Sequence, residues 1–475
     1  MNDKWKRVWI MVKKIVRRAV FACVMILFIV YYVATHYDTR EYTKDNIEEY
    51  VQKTCKIYGV PGLSVAIIDG DEEYYVNYGE AIDEYSKFEL GSTTKAFTAL
   101  GILKLEKEGK LRITDSVAEY LPWFKPTYKG TVCDVTIEDL LCHVSGVPAW
   151  TISTIPEGED SEEGLLKRTV ENIMDVKLDS MPGTHHEYAT INYDVLALIM
   201  EEVTGVKYED YVTAEILKPL DMQDSFFRTN DACAERTVQG YKVGFFAPRA
   251  YNAPTYYGNT AAGYLVSDMS DLMKWMKNWT TDSEDALCLV NGVLSHDVSK
   301  TDHYFAGWNV YDGYITHGGN NPNFSSRVII SREKRLGVFV LSNLAGSSAT
   351  SIADGVYRLL LGETLSVGLQ IEQHGFLDFL SIILTVTLIY LALLLWEIKS
   401  KRGCITRLVC AVIFITLVLV LPPAMHYPFK MIYTWFPVTV CMLVMIAFAI
   451  AASNIIHCLY WYGRNGKTRL VHNNR

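Results

Sequence analysis

Cysteine is scarce and irregular in the polar stretch of this 475-residue chain: residues 36–375 hold five, Cys55, Cys133, Cys142, Cys233 and Cys288. That is too few for a disulfide framework, and an odd number leaves at least one thiol unpaired. The chain has no Cys-x-x-Cys pair and no histidine-rich metal spacing. His185 and His186 are adjacent, so from a strand they cannot both point at one ion. No metal or cofactor is expected. Positive charge is also short in this stretch, which has 51 acidic against 29 basic side chains, a net of −22. Such a surface favours solubility and argues against nucleic acid and against flat adhesion to anionic lipid. The sequence shows neither an internal repeat nor a low-complexity tract.

Both ends of the chain are apolar. Ala19 to Ala34 is an almost unbroken apolar run of 16 residues behind Lys4, Lys6, Arg7, Lys13, Lys14, Arg17 and Arg18. This reads as a cytoplasmic basic segment (1–18) followed by a signal-anchor (19–34). A cleavable signal peptide is the rival, but Tyr32-Val33-Ala34 is a poor small-residue cleavage pattern. Three more spans are predicted, at about 379–396, 408–424 and 433–458. Lys399, Lys401, Arg402 and Arg407 lie between the first two, and Arg464, Lys467, Arg469 and Arg475 follow the last. The positive-inside rule then predicts a multi-pass protein of the cell membrane with both termini cytoplasmic and residues 36–375 extracytoplasmic. Asp378, Glu397 and Lys430 sit at span edges, so mid-depth lacks the ionisable residue an ion path needs. The bundle reads as an anchor in the lipid bilayer.

Ser92-Thr93-Thr94-Lys95 is predicted to open an amphipathic helix, which puts a hydroxyl and an amine one turn apart on one face. A serine hydroxyl becomes a nucleophile when a neighbour takes its proton, and a lysine can do so if burial lowers its pKa. Unpaired N–H groups at the helix start would stabilise developing negative charge. The same spacing recurs at Ser331-Arg332-Glu333-Lys334, in a charged turn between two apolar runs, so context must separate the two.

Around the tetrapeptide, Leu63–Ile68 and Tyr74–Tyr78 flank Asp69-Gly70-Asp71, a hairpin signal. Strand character returns at 313–316, 326–330 and 336–341, with a helix at about 351–361, while 110–310 reads as mostly helical with long loops, including an acidic stretch at 157–163. Strands at both ends and helices between them predict an α/β (α+β) domain: an antiparallel sheet flanked by helices with a large helical insertion, plus transmembrane helices.

Four further stretches join Ser92–Lys95: Pro61-Gly62-Leu63-Ser64-Val65-Ala66; Leu140 through Cys142-His143-Val144-Ser145-Gly146 to Pro148; Pro182-Gly183 through Tyr188 to Tyr193; and His317-Gly318-Gly319-Asn320-Asn321-Pro322-Asn323-Phe324. In this order and spacing, residues 45–362 resemble the class C β-lactamase and penicillin-binding-protein-like serine hydrolases. The resemblance implies Ser92 as nucleophile, Lys95 as its base partner and Tyr188 as proton shuttle. It also implies that the N–H groups of Ser92 and Asn320 form an oxyanion hole, with Gly318 and Gly319 letting the strand edge approach substrate. Thr190 stands where the family commonly has asparagine, so recognition of a substrate carbonyl should differ. His317 stands where many penicillin-binding proteins have lysine, which tilts the substrate from a free carboxylate toward esters, amides or acylated D-amino acids. A histidine that charges in acid would strengthen carboxylate binding near pH 5 to 6.

His143 reads as a buried histidine bonded to backbone. Phe245, Phe246, Tyr251, Tyr256 and Tyr257 crowd one loop, as cleft lining or core. The expected partners are a small peptide, a peptidoglycan fragment or an acylated D-amino acid. The expected activity is acyl transfer through Ser92 on an amide or ester bond. The membrane layout also resembles the prodrug-activating D-amino-acid peptidases of natural-product biosynthesis. From another class, Thr190 motivates a non-catalytic sensor of β-lactams or muropeptides.

Overall fold

A computed structural model of the chain describes residues 3–156, 164–227, 237–281, 289–299, 301–396, 401–424, 426 and 428–472. The acidic stretch 157–163, Cys233, Cys288, Glu397, Lys399 and Arg475 lie outside them.

The predicted hairpin forms as β2 (Leu63–Asp69) and β3 (Glu72–Tyr78), with Gly70 at φ +65° in the turn. Alternation along β2 decides the architecture, because successive side chains point to opposite faces of a sheet. Leu63, Val65 and Ile67 face one core and Ala66 and Ile68 the other. A strand apolar on both faces needs cover on both.

That cover is a seven-stranded antiparallel sheet between helical layers. Late in the chain come β6 (Tyr304–Phe305), β7 (Trp308–Tyr311), β8 (Tyr314–Asn321), β9 (Phe324–Ser331) and β10 (Leu336–Ser342). The sheet order is β6-β7-β8-β9-β10-β2-β3, so β10 pairs along its whole length with β2, Leu336 opposite Asp69 and Ser342 opposite Leu63. On one face lie α2 (Ile47–Tyr58) and α6 (Ser348–Leu360). On the other lie α3 (Lys95–Lys107), α4 (Asn192–Thr204) and α5 (Met269–Thr280).

The α3 helix is not amphipathic as expected. Every residue from Lys95 to Leu103 is buried, and Leu105 with them. It is the central helix of the insertion and presents no solvent face until its last turn. The decoy also resolves: Ser331 Oγ donates to Gly313 O at 2.6 Å and accepts from Lys334 N at 3.3 Å, while Lys334 is exposed. That serine shapes a turn.

Four helices among the described residues are long and apolar enough to cross a membrane, over Met11–Thr35, Gln373–Leu394, Gly403–Val420 and Val438–Tyr460. The first lies in α1 (Asp3–Thr35). The chain leaving it forms β1 (Tyr37–Tyr42), which pairs antiparallel with β11 (Leu365–Leu369), the strand that leads into α7 (Gln373–Trp396). That pairing sets α1 against α7, where Tyr32 stacks on Phe379 at 3.9 Å and Phe21 on Tyr390 at 3.9 Å.

After α8 (Lys401–Ala424) the last predicted span is divided. A separate short helix, α9 (Phe429–Trp435), precedes α10 (Val438–His472). The cause is Pro437, which disfavours helical backbone in the residue before it, and Phe436 is extended at φ −101°, ψ 161°. The hairpin of β4 (Tyr241–Gly244) and β5 (Ala247–Ala250) bridges the two parts of the molecule. Its tip N–H groups, on Phe245 and Phe246, donate to the Asp378 carboxylate at 3.0 and 2.7 Å, and Thr439 donates to the same group at 2.6 Å.

Candidate active site

Ser92 lies in a single 3-10 turn, Gly91–Thr94, immediately before α3. The turn is pinned to the sheet through one carbonyl: Thr93 Oγ1 donates to Leu90 O at 2.8 Å and Ser326 Oγ to the same oxygen at 2.5 Å. Gly91 has φ +57°, and a Cβ there would sit 2.7 Å from Asn320 N. A Cβ on Gly319 would come within 2.0 Å of Leu90 O and 2.3 Å of Ser326 Oγ. The bareness of Gly319 thus seats β8 against the serine turn, a packing role beside the one expected of it at the substrate edge. Gly318 and Gly319 both line a cavity. Since β7 pairs with β8 only from Tyr314 to Thr316, the edge from His317 to Asn321 is free of a strand neighbour on the serine side.

Lys95 is fully buried, and its amine meets three oxygens: Ser92 Oγ at 3.1 Å, Thr190 Oγ1 at 2.9 Å and Ala262 O at 2.8 Å. Burial brings its pKa down to about 7, while the charge of Asp194 pulls the other way. The same burial pushes the Asp194 carboxyl well up, opposed by a hydrogen bond from Asn259 Nδ2 at 2.6 Å. An amine that titrates near neutrality next to a serine hydroxyl can accept its proton. Thr190 thus also holds Lys95, and accepting that bond leaves its O–H free to donate.

Tyr188 lies against both groups. Its ring centroid is 5.2 Å from Lys95 Nζ. Burial pushes the phenol's pKa well up, and the Ser92 hydroxyl only partly offsets this. His143 packs on the Tyr188 ring at 4.2 Å. That histidine is buried as expected, but its ring bonds the Asn192 side-chain amide, at 3.0 Å, and not backbone.

His317 has both ring nitrogens engaged. Nδ1 donates to Gly318 O at 2.7 Å, which leaves Nε2 to accept from the Tyr304 hydroxyl at 3.0 Å. Burial first, and then the Lys95 charge, lower its pKa to about 3. This shift runs against the expected gain of charge at pH 5 to 6, because burial of the imidazole opposes the added proton.

Ser92, Tyr188 and Asn320 line both of two adjoining cavities, of about 280 and 500 Å³. Thr190 lines the smaller, and His317, Gly318 and Gly319 the larger. Of the eight proposed site residues, seven line these cavities, and the eighth, Lys95, is buried behind Ser92. Sequence reasoning missed Asp194, Asn259, Ala262 and Tyr304. Of these only Asp194 left a signal, a carboxylate inside the apolar helix run Tyr193-Asp194-Val195-Leu196. Among the suspected loop aromatics, Tyr256 lines the smaller cavity, while Phe245 and Phe246 are half-exposed at the hairpin tip, Phe246 beside Phe28 and Phe379. No group of three or more His, Cys, Asp or Glu side chains suited to a metal occurs among the described residues.

The sequence model of the family described as Beta-lactamase matches residues 44–363. The chain belongs to the β-lactamase family. Its similarity to the protein flp of Staphylococcus aureus (strain MRSA252) is 26% identity over 455 residues, covering 88% of this chain and 90% of that one, and so extends past the family domain. Among solved structures, the octameric penicillin-binding protein homologue from Pyrococcus abyssi superposes with a TM-score of 0.58 at 26% identity, over 67% of this chain and 77% of that one. A D-stereospecific amidohydrolase from Streptomyces sp. shares the fold, with a TM-score of 0.54 at 20% identity over 66% and 97% of the two chains. β-Lactamase-family membership makes this chain a serine hydrolase at the level of the family, on a mixed α/β fold.

Proposed function

We propose that the chain is a membrane-bound serine hydrolase that forms an acyl-enzyme on Ser92 and cleaves an amide or ester bond in D-amino-acid-containing or peptidoglycan-like substrates. The observation that carries this reading is the buried Lys95 amine, 3.1 Å from Ser92 Oγ with a pKa near 7. Neutral Lys95 takes the Ser92 proton as Oγ attacks the carbonyl carbon. The resulting oxyanion is met by the N–H groups of Ser92 and Asn320, which the close approach of Gly91 and Gly319 holds together. Tyr188 relays the proton from Lys95 to the departing amine or alcohol. Water then attacks the acyl-enzyme by the reverse relay, releasing the acid and restoring Ser92.

The basic residues flanking the apolar helices support an orientation with the catalytic domain outside and both termini inside. The D-stereospecific amidohydrolase neighbour supports the substrate class. Purified full-length protein should hydrolyse p-nitrophenyl acetate, and D-amino-acid amides faster than their L forms, with both activities absent from Ser92→Ala. Turnover that persists in Ser92→Ala would remove the nucleophile. Muropeptide binding without any turnover would favour the sensor instead.

A further inference from the structure

The two cavities that meet at Ser92, Tyr188 and Asn320 differ in their walls. The larger is walled by His186, Tyr304, His317, Ser347 and Gln373. The smaller shares Ser92 and carries the polar side chains of Thr190, Asn259, Asn320 and Asn321. Its remaining walls include Ile152, Ile155, Tyr256 and Tyr264, and Met431 and Trp435 of α9 complete it. The catalytic cleft is therefore not made by the catalytic domain alone.

Met431 and Trp435 are four residues apart and share one face of α9. Phe429, Tyr433 and Phe436 are exposed at 42, 56 and 38% of their surface, as aromatics at a membrane interface would be. The position of α9 is fixed by the catalytic domain. Lys242 Nζ donates to Tyr433 O at 2.9 Å and lies 4.8 Å from the Tyr433 ring centroid. Close by, Trp150 stacks on His426 at 4.4 Å.

Resting on the hydrolase reading above, we propose that this smaller arm is a subsite for an unbranched apolar chain attached directly to the scissile amide or ester. Water in an arm with such walls has few polar partners, so a chain that displaces it gains by removing apolar surface from water. Each methylene seated there should raise kcat/KM by up to about fourfold until the arm is full. The arm's polar side chains would hold the carbonyl while the chain runs toward α9.

Full-length protein in lipid nanodiscs tests this with two ester series used below their micelle concentrations. In p-nitrophenyl acylates, from acetyl to decanoyl, the chain is on the acyl side. In S-alkyl thioacetates it is on the leaving side. The expected result is a rise in kcat/KM of at least tenfold from two to eight carbons in one series, which also identifies the side the arm serves. Trp435→Ala and Met431→Phe, the one opening the arm and the other narrowing it, should each cut the eight-to-two-carbon ratio at least fivefold. Leu419→Ala, on the exposed face of α8, should keep the ratio. A flat response in both series, with acetate still hydrolysed through Ser92, overturns the subsite and leaves the hydrolase reading standing. So does an unchanged ratio in both α9 variants. Absence of Ser92-dependent acetate hydrolysis sinks both.

Discussion

Replacing Thr190 by valine tests how the nucleophile's base is tuned. Valine keeps the shape of threonine but replaces the hydroxyl that accepts from Lys95 Nζ at 2.9 Å with a methyl group. That acceptor favours the charged amine, so its loss favours the neutral one and lowers the pKa of Lys95. A hydrogen bond to a charged group is worth about 1.5–3 kcal/mol. Ser92 Oγ and Ala262 O remain as acceptors, so the low end applies. At about 1.4 kcal/mol per pH unit, the shift is about one unit. Since the neutral amine is the active form, activity rises as pH climbs through the Lys95 pKa. The acid limb of kcat/KM should therefore sit near pH 7 in the wild type and near about pH 6 in Thr190→Val. The assay is ester hydrolysis from pH 5 to 9, with fluorophosphonate labelling to count competent sites. A limb that stays in place or moves upward would refute this role for Thr190.

Three other outcomes follow from the packing. Gly319→Ala drives a Cβ to within 2.0 Å of Leu90 O; it should destabilise the domain by about 1–3 kcal/mol and lower kcat at least tenfold, and wild-type melting with full activity would contradict the close-approach argument. With its pKa near 3, His317 is neutral throughout the working range, so the rate profile should lack an inflection between pH 4 and 6.5; one that disappears in His317→Gln would contradict this. Asp378→Ala leaves the N–H groups of Phe245 and Phe246 and the Thr439 hydroxyl without their acceptor, and amide exchange across 241–250 should speed at least tenfold, against no change if the hairpin is held otherwise.

What could be read in the sequence was what local pattern encodes. β-Prone apolar runs marked β2 and β10, the first beside an Asp-Gly-Asp turn, and the spacing of Ser92 and Lys95 fixed a one-turn separation whatever the fold. Motif order put Tyr188 and His317 in the same cleft. The features that escaped were made by long-range packing. Asp194 and Ala262 reach Lys95 only after α4 and the segment near 262 close over α3, and no spacing announces that. The lowered pKa of His317 has the same origin, because enclosure by Tyr304 and the β8 backbone is invisible in a lone histidine. The packing role of Gly319 escaped because Leu90, against which it sits, is more than 200 positions away. The division of the last apolar segment, by contrast, was legible in Pro437 and was outweighed by the length of the hydrophobic run.

The central claim is a covalent intermediate on one serine. Full-length protein mixed with a p-nitrophenyl ester, quenched in acid within the first turnover and digested, should yield by mass spectrometry an acyl group on the peptide containing Ser92, absent in Ser92→Ala. Acylation of another residue, Ser331 included, or steady hydrolysis with no acylated peptide, would contradict the account.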